Sequence, residues 1–249
     1  MYCFKDLCYI CIEFPEETEK TANDVSREVN KPPPNGAMAG EYLELKLDTI
    51  MRLLDTLTKF NGGSCVEELD EKFSKIASAF LYGGYIDVNN VYKVYIKTVE
   101  FYFHSETDNG VHDPIVYHRN KNEQKIPYFP LMTLHAHNSG FDITFESEAG
   151  EYRASALIRS YEVKKGDKYL KWNKNHFEEN DECCFNTQST YLYFLLNGFP
   201  LGESNGIKWV DVPYTPIKCE GRPRKNVSAL EGETEFRKWS FTRKDKNNA

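Results

Sequence analysis

Apolar residues at Leu43, Leu47, Ile50, Leu54 and Leu57 recur at helical spacing, and "NGG" at 61–63 ends the run, so the first stretch predicts a helix. A second helix is predicted from Ser64, with Glu67 three residues on completing a capping box. Leu69, Phe73, Ile76, Ala77 and Phe80 form its apolar face, and Gly83-Gly84 stops it. From Tyr85 the period changes to two. "YIDVNNVYKVYIKTVEFYF" predicts a hairpin or bulged strand turning at Asn89-Asn90. Residues 127–163 read as three strands, with turns at Asn138-Ser139-Gly140 and Ala149-Gly150. A loop with a short helix follows in "TQSTYLYFLLNGF", then late strands around Lys208–Val212, Ile217–Cys219 and Lys238–Thr242. There is no internal repeat. Helices first and antiparallel strands after them predict an α+β fold, with N-terminal helices packed on a curved, mostly antiparallel sheet. Residues 1–40 are polar and carry a triple proline, which predicts a largely irregular extension ahead of a single domain over 41–249.

Composition agrees with a globular β-rich chain: 40% hydrophobic and 14% aromatic, with sixteen Tyr and sixteen Phe in 249 residues. No apolar run approaches the roughly 18 residues of a membrane helix. The opening "MYCFKDLCYICIEF" lacks a basic leader region. Seven cysteines, at 3, 8, 11, 65, 183, 184 and 219, include one C-x-x-C without a second ligand pair. They read as free thiols in a reducing, cytoplasmic setting with no metal and no cofactor.

A net charge of −7 argues against indiscriminate phosphate binding, yet it is unevenly spread. Residues 1–50 hold five basic and ten acidic side chains. Arg153–His176 holds seven basic against two acidic, and the tail from Ile217 holds nine against five. These stripes are candidate phosphate footprints, with Lys164, Lys165, Lys168, Arg222 and Arg224 as candidate DNA-backbone contacts.

One strand carries candidate chemistry. In "KTVEFYFHSETDNGVHD" alternation puts Val99, Phe101 and Phe103 on one face, and Glu100 and Tyr102 on the other. An acid beside an aromatic ring on one face is either a solvated edge or a site.

The order of the motifs resembles the alkyladenine (3-methyladenine) DNA glycosylases. "LDEKFSKIASAFLYGG" is placed like that family's leading helix, and "TVEFY" stands where its "ETEAY" falls. "VHDPIVYHRN" resembles its histidine loop, "ALIRSYEV" its "LLIRALEP", and "GRPRKNV" and "RKWSFTR" its closing strands. The likeness runs from Leu69 to Arg243. It implies a monofunctional glycosylase that hydrolyses the N-glycosidic bond of alkylated or deaminated purines in damaged double-stranded DNA. Glu100 then activates water, Arg159 helps to hold that water, Tyr102 stacks on the flipped base, and His112 contacts the base through its backbone. Such an enzyme needs a carboxylate that accepts a proton and faces the sugar cation, and an aromatic pocket for the extruded base. The sequence departs from the family at Thr98, at Val163 and across "LMTLHAH". His135 falls near the place of the family's intercalating tyrosine. Asp142 falls near the place of its pocket asparagine, which implies a shift toward guanine-derived lesions. A non-catalytic nucleic-acid or nucleobase-binding protein on the same scaffold, and a protein-interaction module docking through residues 1–60, are the alternative readings.

Overall fold

The computed structural model describes residues 52–116, 118–120, 125–137, 140–173, 176–184, 186, 206–224 and 237–244. The predicted extension over 1–40, most of the first predicted helix and the helix at 187–199 lie outside them. Among the described residues, helices α1 (Leu53–Thr58) and α2 (Val66–Tyr82) precede nine strands. The strands are β1 (Gly84–Val88), β2 (Tyr92–Ser105), β3 (Leu134–His137), β4 (Gly140–Thr144) and β5 (Tyr152–Lys165). They continue with β6 (Lys168–Asn173), β7 (His176–Asn180), β8 (Ile207–Asp211) and β9 (Ser240–Thr242).

Helix α2 starts one residue later than expected, with Cys65 at its N-cap and no side-chain cap there. Ser64 therefore sits outside the cap, and the acid that reaches it is Glu68 instead of Glu67. The Ser64 amide and hydroxyl both donate to Glu68 Oε2, at 2.8 and 2.9 Å. Lys72, one turn on, holds the same carboxylate at 2.7 Å. Its hydrogen bond, followed by those from Ser64, lowers the Glu68 pKa to about 2.

The β1–β2 hairpin turns as predicted, with Asn89 and Asn90 both at positive φ, 56° and 55°. Asparagine tolerates this left-handed region better than most residues, which explains the choice. At the other end of β1, Gly84 lets β8 come close, because a Cβ there would lie 2.3 Å from the Val210 carbonyl.

All pairings in the sheet are antiparallel. Strands β2 and β5, 14 residues each, form its spine, from Tyr92 opposite Lys165 to Ser105 opposite Tyr152. The register is irregular between Ile96 and Val99. Before that point Tyr92, Val94 and Ile96 are buried in the core; beyond it Val99, Phe101 and Phe103 are. Strand β5 makes the same switch between Ile158 and Tyr161. The bulged spine curls the sheet, so β1 and β9 take different stretches of one edge of β2, and β4 and β6 do the same on β5.

The helices cover one side. Phe73 of α2 stacks on Phe101 at 4.7 Å, and Trp239 meets Phe73 edge-on at 5.0 Å. A further local expectation fails, and one element was not expected. Ile217–Cys219 is not a strand, because its amides bond to α2 side chains instead: Ile217 donates to Ser78 Oγ and Cys219 to Ser74 Oγ, both at 3.0 Å. The β6–β7 hairpin was unforeseen, since its lysines, asparagines and glutamates read only as a charged stripe.

Candidate functional site

On the side of the sheet away from the helices, polar side chains are buried in register. Glu100, Leu157, Asp142 and His135 lie opposite one another across β2, β5, β4 and β3. Tyr102 pairs with Ser155, which pairs in turn with Thr144. Glu100 is 0% exposed, Asp142 2% and His135 5%. Burying this many polar groups is costly unless they satisfy one another or a ligand, which marks the face as more than a solvated edge.

Glu100 is the centre of the group. Arg159 Nε donates to Glu100 Oε2 at 2.6 Å, and the Tyr102 hydroxyl donates to the same oxygen at 3.1 Å. The bulge makes the first contact possible, because the β2–β5 register steps from Ile158 to Ser160 and Arg159 falls beside Glu100. Burial works against the Arg159 charge, but the Glu100 charge and hydrogen bond outweigh it and raise its pKa. Burial first, and then Glu100, push the Tyr102 phenol well above its ordinary range, so it remains a donor. Glu100 is closed off while the Arg159 side chain is 22% exposed, so Arg159 stands between the carboxylate and solvent.

The tail closes the group from another direction. Arg224, read from the sequence as a surface cation for phosphate, is in fact inside, its side chain 5% exposed. Its Nη1 donates to Asp113 Oδ2 at 2.6 Å and to the Phe101 carbonyl at 3.2 Å, and its guanidinium lies 4.8 Å from the Tyr102 ring centre. Arg222 is exposed, and its backbone pairs with Ser240 beside Glu100.

His112 is brought near the group without touching Glu100. It is exposed, with Nε2 2.9 Å from the Thr107 carbonyl and its ring 5.0 Å from that of His104. Its own carbonyl accepts from Arg237 Nη2. The next residue, Asp113, is buried and donates its amide to His104 Nδ1 at 3.1 Å. That bond makes Nδ1 of His104 an acceptor, and burial lowers its pKa. His135 is not a surface wedge: it is buried with the Phe129 ring 4.5 Å away. Asp142 accepts from Ser155 Oγ at 3.2 Å and adds to the electrostatic field on Tyr102.

The basic stripe over Arg153–His176 divides. Arg153 is fully buried, bonded to Glu106 at 2.9 Å, Glu146 at 3.1 Å and the carbonyls of Pro127 and Ile126, with Tyr128 stacked over it. His118 Nε2 lies 2.8 Å from the other oxygen of Glu146. This hub anchors the loop between β2 and β3, and single acids in the sequence did not announce it. Lys164 stays on the polar side, over Tyr169; Lys165 is exposed beside the β5–β6 turn, and Lys168 pairs with Asp181.

Among the described residues no group of three or more His, Cys, Asp and Glu gathers to hold a metal ion. No helix among them is long and apolar enough to cross a membrane. A buried carboxylate held by a guanidinium and a phenol, with a ring on the same face, can orient a water molecule and place negative charge beside a developing cation. Compared with protein-family models, with curated proteins and with solved structures, the chain matches none.

Proposed function

We propose that this chain is a monofunctional DNA N-glycosylase, with a 3-methyladenine-glycosylase-like fold, that removes damaged purines by hydrolysis. The observation that carries this reading is the Glu100 cluster: a fully buried carboxylate with Arg159 at 2.6 Å and Tyr102 at 3.1 Å. The ordered resemblance to the alkyladenine glycosylases expected Glu100, Tyr102 and Arg159 to act together, and the cluster supports that expectation. Cleavage of an N-glycosidic bond passes through a sugar cation. Glu100 takes the proton of the attacking water and its charge faces that cation; Arg159 orients the carboxylate and the water; Tyr102 offers a ring to the extruded base. Asp142, in the same row, presents acceptor oxygens to the base edge.

A second reading, binding of a nucleobase without cutting, is favoured by one feature. Both the guanidinium and the phenol engage Glu100 Oε2, and the residue has no exposure, so protein groups and not a water hold that oxygen. An excision assay separates the two, using duplexes with hypoxanthine, ethenoadenine or 7-methylguanine and comparing wild type with Glu100→Gln. The wild type excises at least one of these bases. The variant loses roughly 10²–10⁴-fold or more in rate, while a thermal melt shows it folded and it still binds the lesion. Excision retained by the variant overturns the mechanism, and a wild type inactive on every lesion leaves the binding reading.

A further inference from the structure

Beyond the bulge, the side of the sheet that carries Glu100 continues as a different surface. Val94, Ile96 and Val163 point into the same hydrophobic core as Val99 and Phe101, so Lys93, Tyr95 and Lys164 stand on the Glu100 side. Across the strands, Tyr169, Lys164, Lys93, Asp87 and Lys208 are paired in one row, from β6 to β8. In the adjacent row Tyr95 meets Tyr85 with ring centres 5.2 Å apart. Each ring has a lysine over it: Lys93 Nζ is 5.1 Å from the centre of Tyr85, and Lys164 Nζ is 4.2 Å from Tyr169 and 5.8 Å from Tyr95. The three tyrosines are half-buried, with Lys93 and Lys208 exposed and Lys164 partly so. Two acids border this patch and both are buried: Asp87, and Glu162, which lies 3.0 Å from Lys97 and 3.9 Å from Lys164, so that three lysines of the patch, Lys93, Lys164 and Lys208, outnumber them at the surface.

We infer that this tyrosine–lysine face is a platform for an unpaired nucleic-acid strand, whose bases stack on Tyr85, Tyr95 and Tyr169 while Lys93, Lys164 and Lys208 take its phosphates. Charge and ring chemistry favour this occupant. Half-exposed rings interleaved with cations match a polyanion that carries flat π-faces, the combination single-strand binders use. A paired duplex keeps its base faces stacked internally and offers the tyrosines nothing. The lysines over the rings are not an obstacle, because a cation–π contact at an exposed site is weaker than base stacking on the same ring. Their flexible stems let the ammonium groups move from ring to phosphate. The platform lies along the same strand as Glu100, five residues from Tyr95 to the acid, roughly 17 Å. A strand on it leads directly to the Glu100 group. The inference rests on nucleic acid as the partner in the proposed function, but not on catalysis.

The test is fluorescence anisotropy with a labelled 20-nucleotide single strand, and the same sequence as a duplex, across a potassium chloride series. The single strand binds more tightly than the duplex. Tyr95→Ala weakens it roughly 5- to 150-fold with an unchanged salt slope, while Tyr95→Phe, which keeps the ring, binds as wild type. Lys93→Gln and Lys164→Gln each lower the salt slope by about 0.7. Thermal melts establish that each variant is folded. Folded Tyr95→Ala, Lys93→Gln and Lys164→Gln variants that bind the strand as wild type does, or a wild type that does not bind it, overturn the platform. Glu100→Gln leaves this binding intact. Lost catalysis with binding that depends on the platform therefore removes only the enzymatic reading, and excision with no such dependence removes only the platform.

Discussion

Arg159→Met strips the guanidinium 2.6 Å from a carboxylate that has no exposure of its own. Breaking a buried pair by removing one partner leaves an uncompensated charge, so the variant loses about 3 kcal/mol of stability in a urea melt. Adding Glu100→Gln to Arg159→Met recovers part of that loss, because the stranded charge is gone. A single Arg159→Met variant within about 0.5 kcal/mol of wild type, the range of ordinary surface substitutions, rules out a tight pair. At this scale the sequence announced Glu100 and Tyr102 through strand alternation, and Arg159 through the resemblance. It did not announce that Asp113, from a loop, pairs with Arg224, from the tail more than one hundred positions later, beside Tyr102. The resemblance put His135 near the place of an intercalating tyrosine, but the residue is buried beside Phe129, because position along the chain does not say what lies over a side chain.

Asn90 is where an element depends on one residue's backbone. With φ at 55°, Asn90→Ala places an ordinary side chain in the left-handed region and costs about 1 kcal/mol, whereas Asn90→Gly costs nothing. Chemical denaturation of both variants checks this, and equal stability of the two contradicts the turn geometry. Where hydrophobic period, turn residues and helix stops agreed, as in α2 and the β1–β2 hairpin, the elements were legible. The β6–β7 hairpin was not: it is an edge ribbon whose polar side chains hide the strand period. Ile217–Cys219 shows the opposite failure. Its residues suit a strand, but two α2 serines supply the partners that a neighbouring strand otherwise would.

Across the whole molecule, acid acts on the junction between sheet, loop and tail. His104, at the end of β2, accepts the amide of Asp113, and Asp113 holds Arg224 and Arg237 of the tail. Burial lowers the His104 pKa; Glu106 and Asp113 oppose that shift, while His112 and Arg119 add to it. The unfolded chain takes up a proton at its imidazole near pH 6.5, and the folded chain resists doing so. His104's contribution is therefore fully present above about pH 6.5 and is lost as pH falls through its depressed folded value. Denaturation midpoints fall as pH drops below about 6.5, and His104→Gln, which keeps an acceptor but does not titrate, flattens that fall. An equal fall in both proteins places the acid sensitivity elsewhere.

The sequence by itself determined the α+β class, the α2 helix, the turning points of the first hairpin and the face on which Glu100 and Tyr102 stand. These follow from local periodicity and backbone preference, which a single stretch of chain contains in full. Only the tertiary structure decided that Arg159 reaches Glu100, since that contact needs a bulge in two paired strands at once. It alone turned Arg153 and Arg224 from surface cations into buried ones, and it alone set Lys164 of β5 beside Tyr95 of β2 and Tyr169 of β6. Charge in a sequence counts residues; whether a cation meets solvent, a carboxylate or a tyrosine ring depends on which strands become neighbours, and that is a property of the assembled sheet.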